Sequence, residues 1–187
     1  MSEPPGVVCR ECPDRAFASV RGDAANPRLG HAVARVAGVD LPREPGTWNH
    51  ADRSRAYWLG PDEWLLVVDG DDGLDVEGRL RDALDGRFSV ADVTGAQVQL
   101  ELSGPYVGKV LQKSSPYDFD PRNFGPGSCA QTVFAKSTAL VAARQDGAFE
   151  VVFRRSYADY LMRWLADAAA EYGCRRKSTR SPMVDSI

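Results

Sequence analysis

The chain has 187 residues, with 23 Lys and Arg against 26 Asp and Glu, a net charge of −3 and 43% hydrophobic residues. That balance argues against a protein held to nucleic acid by bulk positive charge, and the length suffices for one full core or two small lobes sharing one. No run approaches the roughly 20 apolar residues of a membrane span and Met1-Ser2-Glu3-Pro4-Pro5 is no signal-peptide start, so a cytoplasmic protein without membrane or nucleic-acid partners is expected.

Residues 1–15 are Pro-rich and are expected to form a flexible N-terminal segment. Within it, Cys9-Arg10-Glu11-Cys12 has the spacing of half a zinc site, but a tetrahedral zinc needs two more ligands and the chain has only His31 and His50 to add. A redox CxxC normally opens a helix, which lowers the thiolate pKa, and the flanking prolines do not favour one. With Cys129 and Cys174 the four cysteines are scattered, and in the cytoplasm they are expected as reduced thiols.

A strand is predicted over Phe17–Arg21. Asn26-Pro27 then supplies an N-cap and a first-turn proline for a helix carrying Leu29, Val33, Val36 and Ala37 on one face, closed by Gly38. A Pro/Gly loop from Pro42 to Trp48 leads to a hairpin, Trp58-Leu59-Gly60-Pro61-Asp62-Glu63-Trp64, in which Gly-Pro-Asp is the turn between β-prone runs. One of Trp58 and Trp64 is expected to face the core and the other to close an edge. A polar link over residues 69–73 precedes a helix with Leu74, Leu80 and Leu84, ended by Gly86, and then the strand Phe88–Val93. The order is β-α-β-β-α-β, and residues 16–95 form a first lobe.

The second lobe, residues 96–173, opens on Val98, Leu100 and Leu102 in alternation and a short helix through Val107, Val110 and Leu111. A Pro/Gly loop over 114–128 holds Phe119 and Phe124, which suit either an interface or an anchor to their own domain. Strands follow at Gln131–Ala135, Thr138–Arg144 and Phe149–Arg154, the last two joined by Gln145-Asp146-Gly147. Arg154-Arg155 then offers one arginine to Asp159 or Glu150 and the other to a partner carboxylate. Tyr157, Tyr160, Leu161, Trp164, Leu165 and Ala168 form the stripe of a last helix. Residues 174–187, with four basic residues and one acid, are expected as a basic disordered tail. The fold class is therefore α+β, two ferredoxin-like lobes with helices packed on antiparallel sheets.

Chemistry is sparse along this frame. Gly70-Asp71-Asp72-Gly73 places acids where a phosphate would sit, His31 lies off the apolar helix face, and His50 is expected in a polar loop. Ser103-Gly104-Pro105 lacks the surroundings of a nucleophile elbow. No catalytic, cofactor-binding or metal-ligating residue is assigned.

Four blocks in order resemble one family: the Trp58–Trp64 run; Ala91-Asp92-Val93-Thr94-Gly95-Ala96 leading to Leu100–Pro105; Pro121–Thr132; and Phe153–Leu161 with Trp164-Leu165. Together with a weaker match at Val20–Asp23, they make residues 17–173 similar to the gamma subunit of heterotetrameric sarcosine oxidase. The resemblance implies the folate-binding fold of aminomethyltransferases and a structural, noncatalytic chain within a complex. That complex oxidatively demethylates sarcosine to glycine, with hydrogen peroxide formed and the one-carbon unit passed to tetrahydrofolate. It further implies alpha, beta and delta subunits as partners, alpha in contact, with FAD, FMN, NAD, tetrahydrofolate and zinc held on those partners and no cofactor on this chain.

The transferases carry an aspartate in a strand that corresponds here to Ser137–Ala142, which contains no acid; this weighs against independent aminomethyl transfer. Gly127-Ser128-Cys129-Ala130-Gln131 is only faintly similar to the cysteine motif of a folate-fold relative in iron-sulfur cluster assembly. The alternatives are a stand-alone folate-binding aminomethyltransferase-like protein and a scaffold subunit of another demethylating dehydrogenase.

Overall fold

The computed structural model describes residues 5–84 and 86–177. Among them, in chain order, are β1 (Val7–Glu11), β2 (Arg15–Gly22), α1 (Pro27–Ala37), β3 (Trp48–Ala51), β4 (Ser54–Gly60), β5 (Glu63–Asp69), α2 (Gly73–Ala83), β6 (Phe88–Asp92), β7 (Gln97–Ser103), α3 (Val107–Ser114), β8 (Cys129–Phe134), β9 (Ser137–Ala143), β10 (Phe149–Arg154), α4 (Ala158–Ala168) and β11 (Cys174–Lys177).

Local chemistry sets the helix ends. The Asn26 side chain accepts from the Arg28 N–H, Pro27 takes the first turn, and Gly38, at φ 71°, closes α1 by donating its N–H to the Ala34 carbonyl. Asp72 caps α2 by accepting from the Leu74 and Asp75 N–H groups. That cap fixes the phase of α2 so that Val76 and Leu80 are buried, while Leu74 is 69% exposed. Residues 74 and 80 stand about 120° apart around a helix at 3.6 residues per turn, whereas 76 and 80 are neighbours.

The strands form two sheets, one ordered β3-β4-β5-β2-β6 and the other β11-β1-β7-β10-β9-β8. In the first, β4-β5-β2-β6 is the antiparallel ferredoxin-like arrangement with β3 added at one edge. Sequence reading left Trp48–Ala51 in a loop; its four residues are too few for alternation to show. In the second sheet β9, β10 and β7 take the corresponding places, but β1 occupies the fourth, antiparallel to β7, and β11 lies parallel to β1 on the outside. Residues 7–11, expected within a flexible segment, are thus a sheet strand, and 174–177, expected within the disordered tail, are its neighbour; 178–187 lie outside the described residues. The reason is tertiary: Val7 and Cys9 are buried at 1% and 3%, but the strand that pairs with them lies far along the chain.

Strand periodicity divides the side chains between two surfaces. In the first sheet, Ala16, Ala18, Val20, Ala56, Trp64, Leu66 and Val68 pack against α1 and α2. In the second, Val98, Leu100, Leu102, Val141, Val151 and Phe153 form a core with residues of α3 and α4. The alternate residues face the other sheet: Phe17, Tyr57, Leu65 and Val67 meet Leu140, Ala142 and Val152. The architecture is four layers, helix-sheet-sheet-helix. The extra strands stitch the sheets, since the Cys129 N–H donates to the Gly46 carbonyl at 2.7 Å and the Trp48 N–H to the Gly127 carbonyl at 3.0 Å. Phe119 and Phe124 are 2% and 3% exposed and pack against each other and Phe149, so they anchor the 114–128 loop to its own lobe. No helix among the described residues is long and apolar enough to cross a membrane.

One glycine fixes how the N-terminal strand is seated. Gly104 has φ 114°, and a Cβ there would stand 2.5 Å from the Gly6 carbonyl oxygen, a backbone atom that cannot swing aside. Gly104→Ala is expected to lower unfolding free energy by about 1–3 kcal/mol in urea titration; an unchanged midpoint would show that the Gly6–Gly104 crossing yields freely.

Candidate functional site

Between the sheets one acid stands out. Glu150, on β10, is 1% exposed, and the alternation that sends Phe149 and Val151 toward the helices aims it at the opposite sheet. There Arg55 Nε of β4 donates to its Oε1 at 2.9 Å, and the Tyr57 hydroxyl donates to Oε2. Gln99 Nε2 of β7 donates to the Tyr57 oxygen at 3.1 Å. Arg55 also bridges to Asp69 at 2.9 Å, which binds Arg15 at 2.8 Å. On the other flank Arg144 pairs with Glu101 at 2.9 Å, reaches Glu150 at 3.5 Å and holds Asp146 at 2.8 Å, while Arg10 closes on Glu101. Arg10, Arg15, Arg55 and Arg144 thus face Asp69, Glu101, Asp146 and Glu150, a seam without net charge.

The seam's electrostatics follow from burial. Burial, then the neighbouring Glu150 charge, hold the Tyr57 hydroxyl well above its ordinary range, so it stays a neutral donor. Burial works against charge on Arg55, yet Glu150, Tyr57 and Asp69 outweigh it and raise its pKa. Hydrogen bonding from Arg144 lowers Asp146. Two buried atoms, Arg15 Nη1 and Gln99 Oε1, make no hydrogen bond. Glu150 is closed off by Arg55 and Tyr57, while Arg144 and Asp146, on the outer flank of the seam, line a surface cavity of about 350 Å³ with Trp48 and His50. The arrangement locks two sheets, with the Glu150 carboxylate held by Arg55 and Tyr57 of the facing sheet.

The residues considered from sequence are dispersed. His31 is exposed on α1, and His50, expected in a loop, is an exposed residue of β3 whose ring lies 5.4 Å from that of Trp48. Cys9 packs with the helix-side core, while Cys12, just past the end of β1, lies beside Arg10, Arg15 and Glu101. Among the described residues no group of three or more His, Cys, Asp or Glu is placed to hold a metal ion. Cys129 is buried with its thiol donating to the Thr47 carbonyl. Trp64 is buried and donates to the Pro42 carbonyl at 2.8 Å, and Trp58 is half-buried near the hairpin end. Arg155 donates to the Gly95 and Gln97 carbonyls rather than to an acid. The Ser137–Ala143 strand has no carboxylate of its own, but Glu150 lies directly across from Ala142. The signal that could have found it is one acid in an otherwise apolar run, Phe149-Glu150-Val151-Val152-Phe153.

The chain matches the profile of the sarcosine oxidase, gamma subunit family over residues 21–171. It is 36% identical over 170 residues to the sarcosine oxidase subunit gamma of an Arthrobacter species, covering 89% of this chain and 81% of the relative. Identity to the subunit of the same name from Corynebacterium sp. strain P-1 is 33% over 161 residues, 84% of this chain and 78% of the other. Among solved structures, the heterotetrameric sarcosine oxidase from Corynebacterium sp. U-96, in complex with pyrrole 2-carboxylate, contains a chain that superposes with a TM-score of 0.81 at 28% identity, covering 89% of this chain and 85% of that one. The glycine cleavage system aminomethyltransferase T from Bartonella henselae shares the fold, with a TM-score of 0.63 at 12% identity over 92% of this chain and 48% of that one.

Removing one partner from a buried charge pair leaves the other uncompensated. Glu150→Ala is expected to destabilise the chain by about 3–5 kcal/mol, and Glu150→Leu with Arg55→Met to recover most of that loss in denaturant titration. A Glu150→Ala cost below ~1 kcal/mol, near that of an average substitution, would remove the seam's structural role. The buried thiols give a second test, since burial raises Cys9 and Cys129 from 9.0 to about 12. Folding favours their neutral form, so their contribution is complete below pH 9, is lost as pH rises from 9 toward 12, and should appear as alkaline destabilisation weakened by Cys9→Ala with Cys129→Ala.

Proposed function

The chain belongs to the sarcosine oxidase gamma subunit family, and from that premise we propose that it is the structural, noncatalytic gamma subunit of a heterotetrameric sarcosine oxidase. The observation that carries the noncatalytic part is the seam: its one fully buried acid, Glu150, is bound by Arg55 and Tyr57 of the same chain. His31 is exposed on α1, and His50, though it lies across from Arg55 on the neighbouring strand and shares a surface cavity with Arg144 and Asp146, is exposed and makes no hydrogen bond to Glu150.

On this reading the reaction takes place on the partner chains, alpha, beta and delta, with alpha the one most in contact. FAD, FMN, NAD, tetrahydrofolate and zinc belong there, and the assembly works in the cytoplasm. The gamma chain's contribution is mass action: a folded partner that binds only the folded form of its neighbour lowers that neighbour's unfolded population.

The reading is tested by affinity purification of the tagged chain from its native host, with mass spectrometry of what accompanies it and an absorbance scan for flavin. Recovery with large yellow subunits is expected; recovery alone and colourless would overturn it. In the assembled enzyme His31→Ala and His50→Ala are expected to leave sarcosine turnover within about twofold. A loss of about 100-fold, ~2.7 kcal/mol of barrier, would place a catalytic group on this chain.

A further inference from the structure

Three alternate residues of β10 face the other sheet, and their surroundings change along the strand. Glu150 is closed in the seam and Val152 lies in the apolar layer, while Arg154 is exposed and lines a cleft of about 310 Å³ between the sheets at the end away from the seam. Leu65 belongs to one wall of this cleft and Leu140 and Val152 to the other, with Gln131 donating to the Leu59 carbonyl at 3.3 Å. Val133, two residues further along β8 on the same face, is 50% exposed.

The cleft's charges do not balance internally. Its acid, Glu63, is taken by Arg21 at 2.7 Å, and Arg154 forms no ion pair with any described carboxylate. A guanidinium above an apolar floor is complementary to a carboxylate carried on an otherwise apolar segment. A groove of about 410 Å³ beside α4 has no such bias, for Glu11 and Asp159 stand there with Arg163 and Arg176, and a basic groove of about 440 Å³ at α1, lined by Arg28, His31 and Arg35, has only Ala32 and Ala83 as apolar lining. We propose that the open end of the sandwich is where this chain is gripped by another subunit of its oxidase, an acidic residue of that subunit docking on Arg154 and its apolar neighbours resting on the half-buried Leu59 and the exposed Val133 at the mouth of the cleft. The inference rests on the gamma-subunit reading and identifies the surface that reading requires.

The test uses the whole complex, co-expressed with the tag on another subunit, and measures how much gamma chain is retained. Retention of the wild-type chain is the result on which the gamma-subunit reading stands, and its failure would overturn that reading and the docking site with it. With the wild type retained, Arg154→Glu is expected to lower retention about tenfold or more, Arg154→Lys to preserve most of it, and Arg163→Glu, beside α4, to change it little. Wild-type retention of Arg154→Glu would overturn the docking site alone. Phenylglyoxal labelling of the unmutated complex gives a readout free of folding effects. Arg154 should be protected relative to Arg163, and equal labelling would refute the proposal.

Discussion

A single buried carboxylate governs how the two sheets face each other. Glu150 has left water, and its principal donors, Arg55 and Tyr57, belong to the opposite sheet, so the sheets must meet at hydrogen-bonding distance in one register. Sliding β10 by one residue would drive that charge into the helix-side core beside Leu100 and Val141 and bring the apolar side chains of Val151 and Phe153 to the seam. The Trp48 ring stacked on Tyr57, and its indole N–H on the Ala143 carbonyl, reinforce the same register from the stitched edge. Everything between the sheets follows in sequence from this contact: charge at one end, aliphatic packing in the middle, an open wedge at the other.

This arrangement suits a subunit whose task is to present a shape. The ionised groups of the seam are paired with one another between the sheets, whereas both histidines and Arg154 lie at the surface. The likeness to an aminomethyltransferase fold at 12% identity fits that division, since layers and strand order are retained although few residues are shared. Fold alone assigns no activity, and the identity of this chain rests on its much nearer gamma-subunit relatives.

Much of the frame was legible in the sequence because its signals are local. Asn26-Pro27 and Gly38 bracket α1, Gly60-Pro61-Asp62 turns the hairpin, and the alternation of Val98, Leu100 and Leu102 gives the orientation of β7. What escaped depends on distant pairing. Val7 to Glu11 has little strand signal of its own and becomes one through β7; Trp48 to Ala51 does so through β4. The seam was hidden for the same reason. Arg55, Tyr57, Gln99 and Glu150 are unremarkable singly, and only the facing of two sheets brings them together. The resemblance to the gamma-subunit family pointed to the complex without needing any of that geometry.

The place of β1 has a consequence for how the chain is made. It fills the fourth position of the second lobe's sheet, between β7 and β11, so the residues synthesised first wait for β7 and then for the last described strand before their pairing is complete. The strands of the first sheet, from Arg15 to Asp92, can assemble while the leading strand is still unmatched. The entropic penalty of the late return is modest, because loop closure grows only logarithmically, about 0.6 kcal/mol per doubling of length. During translation Val7 to Glu11 is therefore an orphan edge segment beside a folded half, and its pairing is complete only when β11 joins it.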